Sequence, residues 1–211
     1  MDKKESIDWG AFYRYRKDVA RRYRSIYHIE IRKKLFDVIT EELKEDSAVL
    51  DVGAFDRGLE DRIKKTCPDV VYKSMDIDRT MPHDYYSLDE IEERFDVIVM
   101  AEVIEHLEFE EGVRMLGKLH SLLVRGGRLI VTTPNIHHPN MWMRDAQHRT
   151  PYRFDVLGGA LLLSGFTLKA IYRLYNDQFL RRLVRLYLMA PLHRWLDVDF
   201  AGTIACVAVR R

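Results

Sequence analysis

Between residues 45 and 135 the chain alternates short apolar runs with polar stretches, and the runs have the length of buried strands. Val49-Leu50-Asp51-Val52 leads straight into Gly53, and Tyr72-Lys73-Ser74-Met75-Asp76-Ile77-Asp78 ends in acids. Phe95-Asp96-Val97-Ile98-Val99-Met100-Ala101 releases into the ionisable cluster Glu102-Val103-Ile104-Glu105-His106, and Leu129-Ile130-Val131-Thr132-Thr133 follows a Gly126-Gly127 turn. Runs of this kind, set between helical stretches, predict the strands of a largely parallel α/β sheet. Leu157 to Ser164 reads as a helix stopped by Gly165, with a further strand after it. Thr203 to Val209 reads as the last strand. Ahead of the first run, Ile26, Ile29, Leu35, Phe36 and Ile39 recur at helical spacing and predict a helix docked on the sheet. Residues 177–199 form a basic, amphipathic stretch broken at Pro191, with Leu180, Leu183, Leu186, Tyr187 and Ala190 on one face. They predict an extra helix packed on the core or on a second copy, with a lid or an interfacial helix as the alternative.

The chemistry gathers where these runs end. In a parallel sheet the C-terminal strand ends meet at the switch point, and a Gly there lets a ligand approach bare backbone beside a helix N-terminus. Asp51 stands two residues before Gly53, where a carboxylate can hold a cationic or hydroxyl group but would oppose a pyrophosphate. Asp76 closes the second run about two dozen residues later, the placement from which an acid accepts ribose hydroxyls.

These four segments together resemble the class I S-adenosylmethionine-dependent methyltransferases, over roughly residues 45 to 175 plus the last strand. The resemblance implies a Rossmann-like sheet of seven strands, or a trimmed version, mostly parallel with an antiparallel last strand. It implies S-adenosylmethionine as cofactor, with Asp51, Gly53, Ala54 and Phe55 forming the first motif, Asp76 holding the ribose and Ile77 lying against adenine. Ala101 falls where backbone meets the methionine end, and Glu102 follows it into the pocket. The family's first motif repeats Gly at the second and fourth positions after Gly53, where this chain has Phe55 and Arg57; Gly58 comes one place late. A bulky Phe55 lacks the backbone freedom of Gly, so the loop is expected to widen or the ring to cover the cofactor. Between Asp78 and Phe95 the chain is too short for the usual helix and strand, and Pro82 interrupts any helix, so one sheet edge is expected to be trimmed.

Transfer of a methyl group to a hydroxyl requires alignment and a base. Glu105, His106 and His148 are the candidates, with His106 titrating near neutral pH and Glu105 able to orient it. The plainer alternative is that Glu105 and His106 merely start a helix. Glu102, Glu105, His106 and His148 could also hold Mg²⁺, Mn²⁺ or Zn²⁺. That set resembles the metal site of the small-RNA 3′-terminal 2′-O-methyltransferases, but the second nearby His of those enzymes is missing around His148, and no metal is assigned. Asn135 to Arg153 is expected to line the acceptor pocket with Met141, Trp142, Met143 and Tyr152. His137 and His138, in the loop after the fifth strand, could touch the acceptor, but an exposed His pair is more often inert.

The chain has 211 residues, 34 Lys plus Arg against 33 Asp plus Glu, and a formal charge of +1, which gives no reason to expect a nucleic-acid partner. This length fits one methyltransferase domain with residues 1–45 as an N-terminal cap and residues 177–199 as an insertion. Cys67 and Cys206 sit in helix-end and strand contexts and suggest neither a disulfide nor a metal site. With no apolar leader and no run of transmembrane length, a cytoplasmic location is expected. The expected activity is O-methylation of a small-molecule, glycan or lipid-linked acceptor, with peripheral membrane contact open. A metal-dependent RNA 2′-O-methyltransferase and a cofactor-binding module without turnover remain the alternatives. Residues 12–34 are rich in Tyr and in basic side chains, and the Tyr and Arg side chains of this segment, such as Tyr13, Arg14, Tyr15 and Arg16, could instead close over the pocket and bind an anionic or aromatic acceptor.

Overall fold

The computed structural model describes residues 7–211; the leader reading and the start of the N-terminal cap fall on the first six residues, outside the described ones. Seven strands form one sheet: β1 (Glu30–Arg32), β2 (Ala48–Val52), β3 (Val71–Met75), β4 (Phe95–Ala101), β5 (Leu123–Pro134), β6 (Phe166–Leu174) and β7 (Thr203–Arg210). Their spatial order is β1-β6-β7-β5-β4-β2-β3. All neighbours pair in parallel except β7, which runs antiparallel to both β5 and β6.

The apolar runs explain both layers, because successive side chains point to opposite faces and both faces are covered. Leu50, Val52, Ile98, Met100, Leu129 and Val131 face α1 (Trp9–Tyr23), α4 (Phe109–Leu122) and α5 (Phe154–Leu163). Val49, Val97, Val99 and Ile130 face α2 (Leu35–Thr40) and α3 (Gly58–Thr66). Cys206 is buried in β7 and Cys67 ends α3; both are free thiols.

The expected trimming is present. β3 is the sheet edge, and the chain beyond it adds only a bridge from Met75 to Tyr85. Asp84 supplies what a neighbouring strand would have supplied there, its carboxylate accepting from Ser74 N and Ser74 Oγ at 2.9 and 3.0 Å.

The N-terminal expectation needs correction. Instead of one helix through Ile26 and Ile39, α1 ends at Arg24 with a φ of 60°, a short 3-10 turn carries Ile26, and residues 30–32 join the sheet as β1. Ile29-Glu30-Ile31-Arg32 also alternates with period two, and the open edge of β6 offers it backbone partners that a helix would leave unpaired. The aromatic and basic side chains of α1 serve docking: Arg16 pairs with Asp155 at 2.9 Å, and Arg22 donates to the carbonyls of Leu168 and Lys169.

The insertion between β6 and β7 also differs. It forms α6 (Phe179–Leu183), one π-helical turn over Val184–Leu188 and α7 (Ala190–Leu196), with Pro191 in the first turn of α7, where its missing N–H costs nothing. None of its residues from Phe179 to Leu196 is buried, so the expected packing of its leucines on the core does not occur within the chain.

Candidate active site

The Gly53 loop is built around close backbone contact. Gly53 has a φ of 76°, and a Cβ there would lie 2.3 Å from Val103 Cγ2. Phe55 and Arg57 adopt φ values of 44° and 59°, so the two positions that lack the expected glycines keep a glycine-like backbone. The loop has therefore not widened to escape those angles, and non-glycine residues bear the strain. Asp76 at the end of β3 holds it in place, accepting from Phe55 N at 2.9 Å and from Asp78 N at 3.0 Å. Phe55, whose N–H binds this carboxylate, and Ile77, which follows it in sequence, are 75% and 82% exposed, an unusual outlay of apolar surface.

Asp51 lies deeper than the sequence suggests. Its carboxylate accepts from Tyr72 Oη at 2.6 Å inside the sheet, and burial pushes it up to about 6 against that hydrogen bond, with the Asp76 charge adding to the rise. It braces the strand end from below. Ala54 is buried beside it in the turn.

At the end of β4, Ala101 is half-buried and Glu102 turns the chain with a φ of 54°. Thr132 Oγ1 accepts from Glu102 N and donates to Glu102 Oε1 at 2.7 Å. Glu102 is exposed as a residue, yet the surrounding protein desolvates its carboxyl and raises it, opposed by Thr132, His148 and Thr203. Glu105 follows in a short 3-10 turn and is fully buried, and neither of its carboxylate oxygens has a hydrogen-bond partner among the described residues. Burial, and then the Glu102 charge, push it up to about 8.

The loop after β5 folds back onto this point. The Glu105 carbonyl accepts from Arg149 N and Thr150 N at 2.8 and 3.1 Å, which brings His148 beside His106 with ring centroids 5.0 Å apart. His148 also lies tilted against Trp142, ring centroids 4.8 Å apart, and shares a 2.9 Å contact between Nδ1 and the Trp142 carbonyl. Glu105, His106 and His148 thus offer ligand atoms that all lie within 4.8 Å of one another.

Thr133 Oγ1 and Tyr152 Oη are likewise buried without a partner, and burial raises the Tyr152 phenol. Sequence reasoning treated Tyr152 as pocket wall and missed Thr132 and Thr133. Their only signal was two hydroxyls at the end of an otherwise apolar strand. His137 and His138 are half-buried and engaged, His137 against the Asp197 carbonyl and His138 edge-on to Phe200, which corrects their reading as an exposed pair.

A family model described as a methyltransferase domain matches residues 15–184, and the chain belongs to that family. Solved structures agree on the fold. A SAM-dependent methyltransferase from Archaeoglobus fulgidus superposes with a TM-score of 0.66 at 17% identity, over 96% of this chain and 100% of its own. An S-adenosylmethionine-dependent methyltransferase from Mesorhizobium loti gives 0.55 at 16%, over 82% and 96%. The cyclopropane synthase MmaA2 from Mycobacterium tuberculosis gives 0.58 at 13%, over 98% and 100%. No curated protein matches the sequence.

The protein is therefore an S-adenosylmethionine-dependent methyltransferase with a Rossmann-like sheet. The residues present fit that cofactor: Gly53 leaves a cradle that any Cβ would fill, Asp76 stands at the adjoining strand end, and Phe55 and Ile77 offer uncovered apolar surface.

Proposed function

We propose that the protein methylates a hydroxyl oxygen of a small-molecule, glycan or lipid-linked acceptor, using Glu105, His106 and His148 to take the acceptor proton. The observation that carries this reading is the convergence of the three side chains at the end of β4, beside a Glu105 carboxylate stripped of partners. S-adenosylmethionine, when bound, supplies an electrophilic sulfonium methyl group.

The chain's own residues then have separable tasks. Gly53, Phe55, Asp76 and Ile77 hold the cofactor against the ends of β2 and β3. His106 or His148 accepts the hydroxyl proton as the new oxygen–carbon bond forms, since a neutral imidazole is a competent base near pH 7. Glu105, its carboxyl raised to about 8 by burial and the Glu102 charge, stands beside the imidazoles and can relay that proton. Trp142 fixes the His148 ring, and the Met141 to Met143 segment offers apolar surface to the acceptor.

The same geometry supports a second reading, in which Glu105, His106 and His148 hold a divalent cation that binds the acceptor oxygen. Two imidazoles and an unpartnered carboxylate are a plausible donor set for Mn²⁺ or Zn²⁺. Turnover in the presence of a chelator separates the two. Under the base reading, activity survives chelation and declines in acid. Loss of turnover on chelation, restored by Mn²⁺ or Mg²⁺, would replace it with the metal reading.

A further inference from the structure

A second feature lies on the α2 and α3 side of the sheet, where β1 and β6 end and β7 begins. Lys33 and Lys34 between β1 and α2, Arg62 of α3, Arg144 after β5 and Arg185 of the insertion converge on a pocket of about 630 Å³. Asp177 is the one carboxylate in its described lining, and it is taken up by Arg185 at 2.6 Å. Lys33, Lys34, Arg62 and Arg144 make no ion pair among the described residues.

This concentration is not a consequence of a basic chain, since the whole carries only +1. Four segments far apart in sequence bring five cationic side chains together against one carboxylate, and their mutual repulsion opposes the fold unless an anion compensates it. Two of the guanidiniums are also held in position. Arg62 sits 4.3 Å from the centroid of Phe36 and Arg185 4.0 Å from that of Phe200, contacts that reduce the ordering cost of gripping a ligand. The pocket adjoins the reaction site: Met141 and Arg144 in its wall belong to the same short turn as Trp142, which lies against His148. Its volume falls in the range of small-molecule pockets.

We propose that this pocket binds a phosphoryl or diphosphoryl group of the methyl acceptor. Lysine ammonium and arginine guanidinium groups in this number suit the several oxygens and double charge of a phosphate better than a lone carboxylate. The proposal rests on the methyltransferase reading above and narrows it to a phosphorylated acceptor. The phosphate has two sources, a soluble ester or a lipid headgroup. The insertion that supplies Arg185 makes the second concrete: residues 178–196 contain four Arg and no Asp or Glu, with Phe179, Leu180, Tyr187, Leu188 and Trp195 exposed.

The test uses the full chain and titrates inorganic pyrophosphate and S-adenosylhomocysteine separately by calorimetry. Pyrophosphate binds at one site with an affinity that falls as salt rises. The double variant Lys34→Glu with Arg144→Glu, both exposed positions, weakens it by about tenfold or more, equivalent to at least about 1.4 kcal/mol. Circular dichroism and S-adenosylhomocysteine affinity remain unchanged in that variant. If S-adenosylhomocysteine binds while pyrophosphate does not, or pyrophosphate binds both proteins equally, the phosphate pocket is wrong and the methyltransferase reading stands. If S-adenosylhomocysteine itself fails to bind the native chain, the acceptor assignment falls with the reading beneath it.

Vesicles of phosphatidylcholine with or without phosphatidic acid distinguish the sources. Sedimentation with phosphatidic acid that pyrophosphate competes away and the double variant loses assigns a lipid headgroup; pyrophosphate binding without sedimentation assigns a soluble ester. Either supports the pocket. Sedimentation with phosphatidic acid that neither pyrophosphate nor the double variant reduces would overturn the pocket's role.

Discussion

Phe55 holds its backbone at a φ of 44° while three quarters of its surface faces solvent, so it costs the folded chain twice. An L-residue in the left-handed region is strained by roughly 1–2 kcal/mol, and an exposed ring gains nothing from burial. A cofactor that the ring covers would offset both. Phe55→Gly should therefore stabilise the protein by up to about 1 kcal/mol, the relief of strain being partly cancelled by the freer unfolded chain. It should weaken S-adenosylhomocysteine binding at the same time. Urea unfolding and calorimetry on the same variant check the two signs; unchanged affinity would remove Phe55 from the cofactor site.

Glu105 makes a second residue-level prediction. Its carboxyl is raised from an ordinary 4.5 to about 8 by burial and by Glu102. Below the ordinary value both folded and unfolded chains carry the proton, and the full stability is present. As pH rises from there towards 8 the unfolded chain releases the proton first, so stability falls and the loss is complete only above the folded value. Asp51, raised to about 6, adds a smaller loss in the acidic part of that window. Glu105→Gln should flatten the fall between about pH 5 and 8, read from urea midpoints across the range. An unchanged slope would show that Glu105 ionises normally and is not enclosed as described.

At the scale of elements, the insertion and the sheet are joined by one buried ion pair. Arg173 of β6 donates to Asp199 at 2.7 Å, and the other Asp199 oxygen accepts from Asn135 Nδ2 at 2.8 Å at the end of β5. Arg173 also donates to the carbonyl of Ile29, so the same group secures the approach to β1. Removing one partner leaves a buried charge uncompensated, which costs about 3–5 kcal/mol. Asp199→Ala should lower the melting temperature sharply, and Asp199→Asn, which retains an acceptor, by less; equal effects would deny the charge its role.

These elements also show what local pattern can and cannot reveal. β2, β4 and β5 were legible because each is an apolar run buried on both faces, and the short stretch after Asp78 foretold the trimmed edge. β1 was not, because Ile29 to Arg32 fits a helical stripe as well as an alternating strand, and its partner β6 lies about 140 residues away in sequence. The residues of the candidate base set could be named from the sequence as an expectation. Their closeness could not, since His148 reaches His106 only through backbone hydrogen bonds to Glu105. The left-handed Phe55 and Arg57 were hidden for the opposite reason, as local preference argues against what the fold imposes.

For the whole molecule, a net charge of +1 conceals a segregated surface. The basic and apolar insertion stands on a fold whose core is complete without it, since the clusters on both sheet faces draw no buried residue from Phe179 to Leu196. Among the described residues no helix is long and apolar enough to cross a membrane. Leu188 and Trp195 are 73% and 81% exposed. Replacing both with Glu should leave the melting temperature of the dilute protein within about 2 °C, because surface substitutions away from buried features change stability by only about 0.5 kcal/mol. The same variant should remain monodisperse at concentrations where the native chain self-associates or sediments with vesicles, because an apolar patch of this kind marks a contact surface. Analytical ultracentrifugation beside thermal melts checks both outcomes. A melting temperature that drops by many degrees at low concentration would mean that these side chains are packed in the folded monomer, and that the insertion belongs to the core.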